Sequence, residues 1–272
     1  MEIAREAAPE IDRLVLAINA LAATRDEELI PLAREAGLDS LEGVMHFADF
    51  VLAGVLTPRL AELRLRYRAP ELVQANLRNW LDRGLVEHRG DQLVAIGRMR
   101  GLLEEALAVR ARAATELWHD HPSEVATATR IARVVSQAAS PEHEVAVAHR
   151  EVPASSDEHL ALHTLLTNLR YIRQHDHAEA WSSRGLSAPA MVVMTALWHG
   201  SPVEPGAVGL DELVAAGYAT ADPVALTHVG VDIRDAIEEE TDERAQASFS
   251  VLGEEDATAF LAALRILPGT MP

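Results

Sequence analysis

Residues 77–97 read LRNWLDRGLVEHRGDQLVAIG, and residues 210–230 read LDELVAAGYATADPVALTHVG. Leu77, Gly84, Leu93 and Gly97 align with Leu210, Gly217, Leu226 and Gly230, always 133 residues apart and without a gap. Each copy reads as a helix end, a glycine suited to a left-handed C-terminal cap, a short extended pair, and a glycine before a long helix. In the first copy the extended pair lies around Val86 and Leu93-Val94, turned at Gly90-Asp91.

Working outward, Pro70 opens the helix that carries Leu77 and Trp80, and Thr57-Pro58 is a cap followed by proline at the first helical position. Asp39 with Glu42 has a capping-box spacing. Ile11, Leu14, Val15, Ile18 and Leu21 recur at three- and four-residue steps, as on an amphipathic helix. Downstream, the helix after Gly97 runs to Trp118, and His119–Pro122 breaks it. Ser123–Ala138 is helical, and Glu142–Pro153 reads as extended or linker. Ser155 with Glu158 forms a second capping box before a long helix, about Asp157 to Trp181. Ser187 caps a helix that stops at Gly200, and helices cover Val231 to about Ala245 and Glu254–Leu264. Only 16 residues separate Gly200 from Gly217, so the second copy has a helix missing or reduced to a turn. The expectation is a mainly α protein: two winged-helix-like modules in tandem with small β-wings, joined by long helices. The expected divisions are 1–118 (N-terminal helices and first module), 119–155 (helical linker) and 156–272 (long helix, degenerate second module and C-terminal helix).

Composition narrows the chemistry. The 272 residues include no cysteine and no lysine; all 24 basic residues are arginine. Disulfides, thiolate metal sites, Schiff-base chemistry and a phosphate-binding Walker lysine are excluded. No apolar run reaches the ~18–20 residues that span a bilayer, and the acidic start (Glu2, Glu6, Glu10) is unlike a signal peptide. A cytoplasmic protein without a membrane partner or cofactor is expected. The formal charge of −18 repels nucleic acid unless a local basic patch overrides it.

The helix Pro70–Arg83, the run Gly84-Leu85-Val86-Glu87 and the hairpin to Leu93 resemble winged helix-turn-helix proteins of the MarR type, as do Leu226-Thr227, Gly230, Arg234, Ile237-Glu238 and Thr241-Asp242 in the second copy. The resemblance is to a tandem, diverged pair. It implies a ligand-responsive DNA-binding transcription regulator that takes a small aromatic or carboxylate molecule between its helices. The tandem would imitate a two-fold dimer within one chain; a homodimer is the other expectation. MarR-type wings carry arginine at the tip of a longer hairpin, whereas this one is short and offers only Arg89. Leu169-Arg170-Tyr171, Arg173, His177, Ala180-Trp181 and Gly185-Leu186 also resemble an uncharacterised family of acidic, Lys-free helical proteins from GC-rich genomes.

Charge separates the two copies. Residues 57–100 hold nine arginines and five acids, a local +4; residues 182–244 hold three arginines and eleven acids, a local −8. Only the first module suits phosphate contacts. Arg66, Arg68, Arg78 and Arg89 are its candidates, with Gln74 and Asn79 placed to read base edges. The competing reading is a solvated helix face whose arginines pair with neighbouring acids.

The helix 157–181 is the most chemically loaded segment. Leu162, Leu165, Leu166, Leu169 and Ile172 share one arc with Arg173 and Asp176, and His159, His163, Arg170, His177 and Trp181 form a second stripe. Three readings stand. In the first, Arg170, Tyr171, Arg173, His177, Trp181 and His163 form an anion or aromatic-acid pocket. In the second, His159 and His163 hold a metal; His177 lies about 21 Å from His163 along the axis, so one site cannot use both. In the third, the helix is structural, packed on both sides. An alternative of another class is a winged-helix fold co-opted as a small-molecule-binding protein or cofactor-independent enzyme of specialised metabolism, without DNA binding. His177 would then be the acid/base candidate.

Overall fold

A computed structural model describes residues 2–270, the side chain of Glu42 excepted. Its helices are α1 (Ile3–Ala23), α2 (Asp26–Glu35), α3 (Glu42–Met45), α4 (Ala48–Ala53), α5 (Pro58–Arg64) and α6 (Pro70–Asp82), followed by β1 (Val86–Arg89) and β2 (Gln92–Ala95). Then come α7 (Gly97–Trp118), α8 (Pro122–Gln137), α9 (Glu144–His149), α10 (Glu158–Ser182), α11 (Ala188–Trp198) and α12 (Leu210–Ala215). The chain continues through β3 (Ala219–Ala221), β4 (Val224–Leu226), α13 (His228–Phe249) and α14 (Glu254–Ile266). The expected mainly α class with two small β-wings is the class observed.

Local chemistry sets most boundaries. Thr57 Oγ1 accepts from the Leu60 N–H at 3.1 Å, and Pro58 follows where a free N–H is not needed. Ser187 Oγ accepts from the Ala190 N–H at 3.2 Å. Gly84 and Gly217 stop α6 and α12 at φ +63° and +76°, a conformation that a Cβ disfavours. Other boundaries differ from expectation. Asp157, not Ser155, caps α10: its Oδ1 accepts from the Leu160 N–H at 2.8 Å, while Ser155 Oγ accepts from the Asp157 N–H. Leu41, not Asp39, is the N-cap of α3 and gives it no side-chain cap, and the Glu42 side chain of the expected capping box lies outside the described residues. Within Glu142–Pro153 the six-residue α9 buries Val145, Ala146 and His149. A helix that short shows too few turns to reveal its period in sequence.

The first module is complete. α4 packs on β2 and α7. The Leu93 N–H donates to the Leu56 carbonyl at 2.7 Å, which adds a third strand position to the hairpin. α6 buries Val73, Leu77 and Trp80, spaced four and three residues apart on one face. Trp80 meets Phe47 edge-on at 6.0 Å and anchors the helix.

The second module is reduced. α11 packs on β4 and α13 as α4 packs on β2 and α7. Residues 199–209 form a loop where α5 and its turn stand in the first copy, and α12 has 6 residues against 13 in α6. The hairpins also differ: Val86 pairs with Ala95, but Ala219 pairs with Leu226. The ungapped repeat therefore conceals a tighter second hairpin. The slack is taken up by α13, which starts at His228, two residues ahead of the position matching the start of α7.

Two apolar cores form, and α10 runs through both. Leu162, Leu166, Leu169 and Ile172 lie in the larger core with α1, α7, α8 and α14. Ala178, Ala180 and Trp181 lie in the smaller one with Met191, Met194, Leu213 and Ile237. No described helix is long and apolar enough to cross a membrane.

Candidate nucleic-acid interface and ligand cavities

α5, the turn 65–69 and α6 make a helix-turn-helix, with the β1–β2 hairpin beside it. Burial of Val73, Leu77 and Trp80 turns Glu71, Leu72, Ala75, Arg78, Asn79 and Asp82 outward. Arg78 and Asn79 are exposed and have no side-chain partner among the described residues. Gln74, by contrast, donates to Glu62 on α5 at 2.5 Å. Arg68 is exposed in the turn. Arg66 is half-buried, donates to the Leu63 carbonyl at 3.0 Å, and is pulled below the ordinary guanidinium range by burial. Arg89 is exposed on the wing and donates to Glu87 at 3.0 and 3.1 Å.

Two other arginines counted toward the basic patch have different surroundings. Arg59 makes a two-pronged pair with Glu144, at 2.6 and 2.9 Å. Arg64, the last residue of α5, turns inward with its guanidinium 4.7 Å over the Tyr171 ring.

Five of the six ligand candidates on α10 line two adjoining cavities. A smaller one, about 290 Å³, is lined by Arg170, Tyr171, Arg173 and His177, with Arg64 and Tyr67. A larger one, about 730 Å³, lies among α1, α2, α4, α7 and α10 and is lined by His163, Arg170 and Tyr171, again with Arg64. Trp181 lines neither; it is buried and its Nε1 donates to the Tyr67 hydroxyl at 3.4 Å, joining α10 to the turn of the helix-turn-helix.

Most of these side chains already have protein partners. Arg170 donates to Asp12 at 2.6 Å. Arg173 bridges Glu238 and Asp242 on α13 at 2.7 and 3.0 Å, not Asp176 on its own helix. Asp176 instead meets His143 at 3.0 Å. His177 Nδ1 lies 3.1 Å from Thr241 Oγ1. Burial, opposed by Glu238 and assisted by Arg234 and Arg173, pushes His177 down to about 4. Burial and the Arg110 guanidinium push His163 down to about 3, so its imidazole is neutral at physiological pH. Among the described residues no three His, Asp or Glu side chains converge as metal ligands.

Sequence reasoning missed the polar floor of the larger cavity. Asp49 and Arg110 pair there at 3.3 Å, with side chains 17% and 11% exposed. Burial alone would raise the Asp49 carboxyl, but Arg110 and the adjacent His149 hold it well below the usual range. The signal available was a lone acid in the apolar run Phe47–Leu56; Arg110 is one of four arginines in α7 and does not stand out from the others. Nothing local said that they meet.

A profile of a helix-turn-helix family matches residues 67–270, about three quarters of the chain. The chain belongs to this helix-turn-helix family. The family region begins in the turn before α6 and takes in both hairpins, α10 and the second module. No curated protein and no solved structure matches the chain. Within this family member the first module has the full α5–turn–α6 unit before its hairpin, whereas in the second the loop 199–209 stands in place of α5 and α12 is about half the length of α6. The asymmetry counts against a two-fold imitation with two equivalent reading helices in one chain.

Proposed function

We propose that this helix-turn-helix protein is a ligand-responsive, MarR-like transcription regulator that reads double-stranded DNA through α6. The observation that carries this reading is the outward pair Arg78 and Asn79 on a helix anchored by Trp80 within a complete helix-turn-helix. Arginine grips guanine and asparagine pairs with adenine in the major groove. Arg68 and Arg89, exposed on the turn and the wing, flank α6 and supply phosphate contacts. The small aromatic or carboxylate ligand belongs to the cavities along α10, whose residues reach the same module through Tyr171–Arg64 and Trp181–Tyr67. A two-fold DNA site would then need two chains.

Selection from a random duplex pool with the full chain tests this. Enrichment of one site, lost on joint substitution Arg78→Ala and Asn79→Ala, is the expected result. A pool that stays random refutes the regulator and leaves the co-opted small-molecule reading, in which His177 faces the smaller cavity as a neutral base.

A further inference from the structure

We infer that the larger cavity binds an amphipathic carboxylic acid, with its apolar body between α1, α2 and α7 and its carboxylate on Arg64. The inference deepens the regulator reading and rests on it for the ligand's biological role. Val15, Leu29, Ile30, Leu38 and Val109 give the walls an aliphatic face, Asp26, Arg34 and Asp39 also line the cavity, and about 730 Å³ is within the range of small-molecule sites.

The polar floor is not self-sufficient. Asp49 and Arg110 neutralise one another, and Arg170 is matched by Asp12. Arg64 has no acidic partner among the described residues, and its Nε is buried without a hydrogen bond. Arg64 is half-buried with its Nε sealed from water, and a carboxylate is the group that answers Nε and a terminal nitrogen together in two-pronged geometry. Two more polar atoms at the floor lack partners: His163 Nε2 and Thr167 Oγ1, four residues apart on one face of α10. Buried polar atoms ordinarily find partners, so three unanswered ones on residues that line this cavity, Arg64 being shared with the smaller one, point to a polar ligand head.

Arg64 also gives the site its reach. It ends α5, directly before the turn that leads to α6. A carboxylate that draws on Arg64 therefore acts on the helix-turn-helix itself, within six residues of Pro70.

Calorimetric titration of the full chain with octanoate and its neutral isostere octanamide tests the site. The intact protein should prefer octanoate about tenfold or more, the worth of a charge-assisted hydrogen bond over a neutral one. Arg64→Met should abolish that preference while octanamide still binds. Ile30 is part-exposed where it lines the cavity, and Ile30→Trp should weaken both ligands. Equal affinity for the two isosteres, or binding of neither, overturns the inference, and this comparison needs no variant to fold. Octanoate preference retained in Arg64→Met overturns the assignment of the head group. Because these titrations contain no DNA, the two readings fail separately. Selective DNA binding without octanoate preference removes the site alone; octanoate preference without DNA binding removes the regulator alone.

Discussion

Lowering the pH below 6.5 should destabilise this protein by way of two histidines, before its carboxylates titrate. His163 is held near 3 by burial and Arg110, and His177 near 4 by burial among Arg234 and Arg173. In the unfolded chain both return to about 6.5. The unfolded state therefore binds the extra protons, and stability rises with pH. The contribution is complete above the unfolded value and is lost as pH falls toward the folded values. At pH 5 each histidine is charged when unfolded and neutral when folded. Over about 1.5 units, at 1.36 kcal/mol per unit, each costs about 2 kcal/mol. Together they remove about 4 kcal/mol between pH 7.5 and pH 5, a large part of the 5–15 kcal/mol typical of folded domains. His175, also lowered by burial and by His143, acts in the same direction. The assay is urea denaturation at half-unit steps from pH 8 to pH 5, at constant m-value. His163→Gln should flatten the slope by close to one proton. A midpoint unchanged down to pH 5, or a slope unaffected by His163→Gln, would refute the reasoning.

Three further predictions concern stability and recognition. Asp49→Ala strands the Arg110 guanidinium and should cost about 3–5 kcal/mol, whereas adding Arg110→Leu should recover most of it; equal denaturation midpoints for single and double variants would contradict this. A Cβ on Gly230 would sit 1.9 Å from the Tyr218 carbonyl oxygen, while its repeat partner Gly97 has open space and only a positive φ to accommodate. Gly230→Ala should accordingly lower the thermal midpoint well beyond Gly97→Ala, which costs about 1–2 kcal/mol from backbone strain. Arg78→Ala should weaken binding to the selected site by about 1–3 kcal/mol and relax its preference at one base position, and a loss that is uniform across sequences would contradict the base contact.

Short-range chemistry made much of the fold legible. The Thr57-Pro58 cap, the Gly84 stop and the alternation at Val86 and Leu93 each act within a few residues, so sequence carries them. The reduced second module was legible for the same reason, from the spacing between Gly200 and Gly217. What sequence did not carry was tertiary. The two-residue slip of the second hairpin is hidden because α13 absorbs it. Arg64 and Arg59 counted toward a basic surface, yet one is packed on Tyr171 and the other is bound by Glu144. Arg173 and Asp176 shared a helical arc, but partners on α13 and His143 took them separately. The larger cavity depends on residues 49, 64, 110 and 163, whose meeting no periodicity announces.

The central claim is that α6 and the arginines around it overcome a net charge of −18 to hold DNA. Fluorescence anisotropy with the duplex immediately upstream of this protein's own coding region, titrated across salt, tests it most directly. The account predicts sub-micromolar binding that survives competitor DNA. It also predicts a log–log salt slope of about −2, from phosphate contacts by Arg68 and Arg89 at about 0.9 per contact. No binding at low salt, or binding indifferent to salt, would contradict it.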